Sequence, residues 1–320
     1  MRLTDIERPN FSGHESFAFR YGWLKKGYDR VKAEPGFFSR RDALVDLGVG
    51  KNMVASIRHW LFTLDLVEHT GAERGRKTDV VSTPLADRLL GDDGWDPYLE
   101  DDATLWLLHY KLATGRETST TWWWAFHRPQ TATLRRSELH AELVAASNAK
   151  GWGRGCTPNT IKRDVDCFIH TYLPTQGRNV RMEDAISCPL TALGLVQPTA
   201  DRDRDEVVLS YGFQPSLPDA VLCWALDRFV GKELAGREGG TVSLDRLLFD
   251  EGSPGRVFRL HEDALVERLG RLKELTHGDW TYDETIGLRQ LVVARTCTVD
   301  WLRRYYEELP LEPGLFEEAS

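Results

Sequence analysis

The sequence lacks the short motifs that mark the common hydrolytic and nucleotide-dependent enzymes. Its 320 residues contain no HExxH, no P-loop, no GxSxG and no GxGxxG that follows a strand, which excludes those classes of active site. The five cysteines form no CxxC pair, a usage typical of reduced thiols. There is also no basic-then-apolar leader and no apolar run of about 18 residues. These absences predict a cytoplasmic protein that does not contact the membrane.

Acidic residues outnumber basic ones in the whole chain, 49 Asp and Glu against 41 Lys and Arg, yet the basic residues predominate in two segments. The formal net charge is −8, whereas residues 1–90 carry 15 Lys and Arg against 12 Asp and Glu, and residues 128–181 carry 9 against 4. This balance argues against a protein that coats nucleic acid indiscriminately. Two basic segments on an acidic body suit localised phosphate contact, and ordinary variation of surface charge is the alternative.

The first third of the chain follows the order of a winged helix-turn-helix. A helical pattern runs from Arg20 to about Lys32, and Ser39 is a suitable N-cap for a second helix that ends at Gly48. A short turn leads to "KNMVASIRHWLFTLDLV", where apolar residues recur at helical steps, and "VEHTGAERGRKTDVVST" indicates a hairpin. We expect this domain to bind duplex DNA, although winged helices that contact only proteins are also common.

A second stretch, within residues 128–181, repeats the helix-turn-helix pattern. A helix from Ser137 ends in a Gly-rich turn, and Thr157 caps a second helix. Thr160, Lys162 and Arg163 are expected on the outer face of that helix, with apolar residues facing inward. Upstream, the consecutive residues Trp122–Trp124 favour packing between domains over stacking on bases.

The predicted architecture is mainly α with small β elements, an α+β class. We expect a winged helix-turn-helix DNA-binding domain at 1–95, a Trp-rich linker with a second helix-turn-helix-like region at 96–200, and a mostly helical C-terminal domain at 201–320. The residues expected to contact DNA lie on the first helix, on the recognition helix within "KNMVASIRHWLFTLDLV", at the tip of the hairpin (the wing tip) and in the second region. They are Lys25, Lys26, Lys51, Asn52, Ser56, Arg58, Arg74, Arg76, Lys77, Lys162 and Arg163.

The densest group of chemically active residues is the segment "FSGHESFAFRYGWLKK" at residues 11–26. His14 with Glu15 could act as a base and its orienting carboxylate or ligate a metal, and Arg20 could neutralise a phosphate. Acidic residues brought together by folding could hold Mg²⁺ or Mn²⁺ for phosphodiester cleavage. The alternative is structural: Ser12 and Glu15 form a capping box, Arg20 pairs with Glu15, and the aromatic residues fill the core.

The same segment carries a family resemblance, together with "ALVDLGVGKNMVASIRHWL", "CPLTALGLV" and "SPGRVFRL". These motifs resemble a bacterial family catalogued as a domain of unknown function, whose members accompany DNA phosphorothioation genes. The resemblance covers nearly the whole chain. It implies DNA as substrate, a nick in one strand, and action beside a cysteine desulfurase, an ATPase and a sulfur transferase. Within the matched N-terminal motif, the resemblance makes His14, Glu15 and Arg20 the candidate catalytic residues.

Two functions are consistent with this sequence. The first is a nickase, dependent on Mg²⁺ or Mn²⁺, that cuts one strand of duplex DNA and thereby assists phosphorothioate modification in a bacterial defence system. The second is a non-catalytic DNA-binding adaptor that recruits the sulfur-transfer enzymes. The missing catalytic motif favours the adaptor, and the family resemblance favours the nickase. A second copy of the chain, forming a homodimer, is a further candidate partner.

Overall fold

The structure is a computed structural model, and it describes residues 6–70, 79–127, 132–153, 155–174, 188–201, 203, 205–235, 237–285 and 287–308. The chain divides into two compact units, with the boundary between Ser210 and Tyr211. The predicted regions 1–95 and 96–200 both fall within the first unit. No helix among the described residues combines the length and the apolar character needed to cross a membrane.

The first unit contains eight of the described helices and two small antiparallel sheets. Their bounds are α1 Trp23–Ala33, α2 Ala43–Leu47, α3 Lys51–Thr63, β1 Val67–His69, β2 Val80–Ser82, α4 Pro84–Leu90, α5 Asp102–Thr114, α6 Thr120–His127, β3 Thr133–Arg135, α7 Arg136–Lys150, α8 Pro158–Tyr172, β4 Val196–Pro198 and β5 Glu206–Leu209. Short 3₁₀ helices occur at Phe37–Ser39 and Pro189–Leu193. The second unit holds a third sheet, so the α+β class is confirmed.

The helices α2 and α3 are joined by a tight turn. Gly48 ends α2 in the left-handed conformation, with φ +64°, a geometry that glycine adopts without steric cost. The predicted inward residues of α3, among them Ile57, Trp60 and Leu61, are fully buried. The start of α2 differs from the prediction, because Phe37–Ser39 forms a separate 3₁₀ turn and α2 begins at Ala43 after Asp42.

The middle of the first unit contains one helix without an exposed face, α6, and one amphipathic helix, α8. Every residue of α6 is buried, including all three consecutive tryptophans. These tryptophans therefore pack inside one compact unit. Helix α8 is amphipathic and well capped, since Pro158 occupies its first turn and the Thr157 hydroxyl accepts the Thr160 N–H at 3.2 Å.

Strand order is the same in both three-stranded sheets. In the first unit β5 lies between β3 and β4, with Leu134 opposite Val207 and Gln197 opposite Val208. In the second unit β8 lies between β6 and β7. All of these pairs are antiparallel, and β1 with β2 forms a separate two-stranded sheet.

The second unit was predicted to be mostly helical, and it contains a sheet as well. Its elements are α9 Asp219–Leu234, β6 Gly240–Ser243, α10 Leu244–Phe249, α11 Pro254–Val257, α12 Glu262–Leu275, β7 Trp280–Thr285, β8 Leu288–Val293 and α13 Trp301–Glu307. Strand β7 buries Trp280 and leaves its far end exposed. The polar residues of "TYDET" show no apolar pattern typical of a strand, so the sequence did not predict β7. Its partner β8 buries only Leu291 and Val293.

Candidate functional site

Residues 11–22, the turn segment, precede α1 and form a series of tight turns that direct His14 inward. Three of its non-glycine residues have positive φ angles: Ser12 at +69°, Glu15 at +49° and Ser16 at +68°. Such angles are unfavourable for L-residues and persist where tertiary contacts fix them. The predicted capping box is not formed, because these residues lie in turns and the first helix begins at Trp23.

His14 is 1% exposed, and both of its ring nitrogens are engaged. The Ser16 N–H donates to Nδ1 at 3.0 Å, which assigns the ring proton to Nε2. Nε2 then donates to Oδ1 of Asp164 on α8 at 2.6 Å, and the same oxygen accepts the Ser12 N–H at 2.9 Å. This arrangement fixes the turn segment to α8 and leaves His14 no lone pair for activating a water molecule.

An aromatic shell surrounds this pair. The ring centroids of His59, Trp60 and Trp122 lie 5.7, 6.1 and 6.0 Å from that of His14. Trp60 also anchors the turn segment directly, since its Nε1 donates to the carbonyl of Phe17 at 2.9 Å. The turn segment thus contacts α3 through Trp60 and α8 through Asp164, and it holds both helices in place.

His59 of α3 is a second titratable group in this shell. Burial, followed by the proximity of His14, lowers the pKa of His59 to about 3, because a charged imidazole would lose its hydration there. The Cβ of any residue other than glycine at position 13 would lie 2.3 Å from Nδ1 of His59. Gly13 is therefore required by close packing against this histidine.

The residues around His14 do not make a metal site of the expected kind. No group of three His, Cys, Asp or Glu side chains within the described ranges is placed to hold a metal ion. Oδ2 of Asp164 and Nε1 of Trp122 are buried without a hydrogen-bond partner, but one carboxylate beside imidazoles does not provide the oxygen set that Mg²⁺ prefers. The described residues therefore do not fit a Mg²⁺ or Mn²⁺ centre supplied by the protein alone.

Glu15 and Arg20, the other two predicted catalytic residues, lie outside this buried pair. Glu15 is exposed and Arg20 is partly exposed. The guanidinium of Arg20 stands 5.9 Å from the ring centroid of Phe17 and 5.3 Å from that of Trp23, a cation–π arrangement that fixes its position. The His14–Asp164 bond is thus covered by protein, whereas the Glu15 carboxylate is open to solvent.

The predicted DNA-contact residues of the first domain divide into exposed and sequestered ones. Lys26, Lys51 and Asn52 are exposed, and Arg58 is partly exposed above the ring of Phe62 at 4.8 Å. The tip residues Arg74, Arg76 and Lys77 lie outside the described ranges. In the second region Lys162 and Arg163 are exposed on α8, as expected.

Three residues expected on the surface are buried. Ser56 is 0% exposed and its hydroxyl donates to the Phe17 carbonyl at 3.4 Å, because the turn segment covers that face of α3. Lys25 is 9% exposed, and its Nζ lies 2.6 Å from Asp29 and 2.7 Å from Asp92. Thr160 is 8% exposed beside its capping partner. These three placements correct the prediction.

Lys25 illustrates why a lysine in a basic segment is not always a phosphate ligand. Burial alone would lower its pKa, but the hydrogen bonds to Asp29 and Asp92 outweigh this effect and raise the pKa. The ammonium group is thus charged and already neutralised inside the protein. Two of its three N–H donors are directed to carboxylates of the protein, which disfavours a contact with an external anion.

Sequence reasoning missed Asp164, the partner of His14. Asp164 is 1% exposed, and it stands in register with the buried residues Ile161, Val165 and Phe168 of α8. An acidic residue on the inward face of an amphipathic helix requires a buried partner. That pattern was visible in "TIKRDVDCF" and could have identified Asp164, although not the residue that pairs with it.

Comparison with known proteins supplies the family. A family model described as a protein of unknown function (DUF4007) matches residues 11–306. A crystal structure of SspB with bound magnesium ion superimposes with a TM-score of 0.84 at 33% identity, covering 95% of this chain and 90% of that one. A second SspB crystal structure gives 0.83 at 32% identity, covering 96% and 90%. Comparison with curated protein sequences finds no match. The predicted family resemblance is confirmed: the chain belongs to the DUF4007 family and is similar to SspB over nearly its whole length.

Proposed function

We propose that this protein binds duplex DNA and nicks one of its strands in support of phosphorothioate modification. The observation that carries the DNA-binding part is the placement of Lys51 and Asn52. Both side chains are exposed in the first turn of α3, which follows α2 after a short turn and precedes the β1–β2 pair. This order of elements is that of a winged helix-turn-helix, in which the first turn of the second helix reaches the bases in the major groove.

The remaining exposed cations support the same surface. Lys26 on α1 and Arg58 on α3 supply phosphate contacts that fix the register of a duplex without reading its sequence. Arg74, Arg76 and Lys77 follow β1 in the chain, and we propose them as wing contacts on the basis of the sequence. No acidic residue occupies the first turn of α3, so nothing on that turn repels a phosphate.

The nicking activity is proposed from the relationship to SspB and from the exposed residues of the turn segment. Hydrolysis of one phosphodiester adds water across a P–O bond and leaves a terminal phosphate and a free hydroxyl. Arg20, partly exposed and oriented by Phe17 and Trp23, is the proposed contact to the phosphate that is cut. Glu15, exposed nearby in the chain, is the proposed base. His14 is proposed as a positioning residue, since its nitrogens hold the segment to α8.

A magnesium-bound SspB structure suggests a metal requirement. We propose that Mg²⁺ or Mn²⁺ is needed for activity, while the described residues do not form its site. Within the cell the proposed partners are the cysteine desulfurase, ATPase and sulfur transferase of a phosphorothioation system.

Supercoiled plasmid tests this function directly. Incubation with Mg²⁺, Mn²⁺ or EDTA is expected to yield open-circular DNA only with a metal. Glu15→Gln and Arg20→Ala should abolish the product while leaving duplex binding within a factor of about two, whereas Glu117→Gln, another exposed carboxylate, should retain activity. Lys51→Ala should weaken binding and reduce the salt slope by about 0.9, and Lys232→Ala should not. Nicking that survives both substitutions in the turn segment would remove that segment from catalysis.

A DNA-binding adaptor is the second candidate, and two observations favour it. No three-ligand metal cluster occurs in the part of the chain that the structure describes, and His14 is fully engaged in bonds. Duplex binding that depends on Lys51, with no open-circular product under any metal, would establish this alternative.

A further inference from the structure

The chain repeats one arrangement of elements without repeating a sequence pattern. In the second region a strand, two helices and a two-stranded hairpin follow one another as β3, α7, α8, β4 and β5. In the second unit β6, α10, α12, β7 and β8 follow in the same order, with the short α11 inserted between the helices. In both sheets the last strand pairs with the other two. A helix precedes each set: α6 before β3, and α9 before β6.

The first domain has the same connectivity in reduced form. Helices α1, α2 and α3 are followed by the β1–β2 pair. Pro35 lies two residues after the end of α1, and its carbonyl accepts the Val80 N–H of β2 at 3.0 Å. Pro35 therefore occupies the position of the first strand, with the last strand β2 again between the other two. One winged-helix topology thus occurs three times, and α3, α8 and α12 are equivalent helices.

The outer faces of these equivalent helices differ in charge. Helix α8 exposes Asn159, Lys162 and Arg163 in its first two turns, and its first turn has no acidic residue. The nearby Asp166 is only partly exposed and lies 3.8 Å from Arg136. This surface resembles that of α3, where Lys51 and Asn52 are exposed.

Helix α12 presents the opposite character. Glu262 and Asp263 occupy its first turn, and Glu267 and Glu274 are also exposed. Its two arginines both pair with the carboxylate of Asp219, Arg268 through Nη1 at 2.9 Å and the exposed Arg271 through Nε at 2.8 Å. Arg271 also pairs with Glu267, and Glu262 pairs with Arg289 of β8. The first turn of α12 thus carries two acidic residues where the first turns of α3 and α8 carry none, and acidic residues at this position disfavour a DNA backbone.

We infer that α8 is a second DNA-contacting helix and that α12 is not, so two of the three winged helices engage duplex DNA. The inference rests on the proposed DNA binding and extends it from one helix to two. The charge complementarity of Asn159, Lys162 and Arg163 to phosphates and base edges supports it, as does the equivalence of α8 to α3 in topology. Asp164 lies on the inner face of α8, and its hydrogen bond to His14 fixes the position of the helix that carries Asn159, Lys162 and Arg163.

Salt-dependent binding of the full-length protein to a duplex of about two helical turns tests this inference. Lys162→Ala and Arg163→Ala, measured separately, should each weaken binding severalfold and reduce the slope of log K against log salt by about 0.9. Lys273→Ala, an exposed lysine on α12, is the matched control and should change neither quantity. Circular dichroism and urea midpoints confirm that each variant is folded.

Lys51→Ala separates this inference from the function on which it rests. If Lys51→Ala lowers the slope while Lys162→Ala and Arg163→Ala do not, the second DNA helix is refuted and the first remains. A lower slope for Lys273→Ala would refute the exclusion of α12. If no variant on α3 or α8 changes the slope, the proposed DNA function itself is wrong.

Discussion

The Nε2 atom of His14 donates to Oδ1 of Asp164 across 2.6 Å and joins residues that are 150 positions apart. Both side chains are 1% exposed. In a sequence motif that suggests catalysis, this histidine instead connects the turn segment to α8. The bond accordingly predicts a large effect on stability and only an indirect effect on DNA.

Asp164→Asn should destabilise the first unit by about 3 kcal/mol, because the buried hydrogen bonds from Ser12 and His14 then meet a neutral amide. Urea unfolding followed by tryptophan fluorescence would show a lower midpoint at a similar slope. Asp166→Asn on the same helix is the control. That carboxylate is 42% exposed and 3.8 Å from its partner, so the change should stay within about 0.5 kcal/mol. Equal effects of the two substitutions would contradict the importance of the His14–Asp164 bond.

Gly13→Ala should cost about 1–3 kcal/mol, since the new methyl group would lie 2.3 Å from Nδ1 of His59 and the turn segment or α3 must shift. Gly36→Ala provides a matched comparison. A methyl group there meets nothing within 4 Å, and the backbone φ of −83° suits alanine, so stability should be unchanged or slightly higher. Thermal midpoints of the two variants are the measurement, and a stable Gly13→Ala variant would show that this packing is not tight.

His59 should make the stability depend on pH. Its pKa in the folded protein is lowered to about 3 from 6.5, so the unfolded chain binds the proton first. The stability that His59 contributes to the folded protein is fully present above about pH 6.5. As the pH falls toward 3, the free energy of unfolding decreases by about 1.4 kcal/mol per pH unit. His59→Gln should flatten this acid limb in urea unfolding between pH 6.5 and 4, whereas His69→Gln, at an exposed position, should keep it. An unchanged acid limb in His59→Gln would mean that other groups cause the loss.

Lys25 and Lys26 should behave differently toward DNA although they are adjacent in the chain. Lys26 is exposed, whereas the Lys25 ammonium is bound by Asp29 and Asp92. Lys26→Ala should therefore reduce the salt slope of duplex binding by about 0.9, and Lys25→Ala should leave it unchanged while lowering the urea midpoint. A reduced slope for Lys25→Ala in a fully folded protein would show that the lysine leaves its carboxylates to bind phosphate.

Local sequence signals predicted the elements of the first unit well. Gly48 and Thr157 mark a helix end and a helix start because their conformations depend on neighbouring backbone alone. The inward register of α3 followed from the spacing of Ile57, Trp60 and Leu61. By contrast, the strand that contains "TYDET" was not predicted, because strand formation depends on a partner that lies elsewhere in the chain.

The site was harder to predict than the fold. A helical wheel places Ser56 beside exposed neighbours, yet the turn segment covers it from outside the helix. Lys25 also looks like a surface cation until Asp92 is brought next to it from 67 positions away. Burial of this kind depends on tertiary contacts between distant segments. Spacing within one element therefore cannot reveal it.

The contacts of the N-terminal segment set the order in which the first unit can be completed during synthesis. The Ile6 carbonyl accepts Trp152 Nε1, the Asn10 N–H donates to Thr120, and the Ser12 N–H donates to Asp164, across 146, 110 and 152 positions. These residues are thus synthesised well before the partners that they contact. Closing such long loops slows folding. Until α8 has been synthesised, the aromatic side chains of this segment lack their α8 contacts, and exposed apolar surface of this kind favours aggregation.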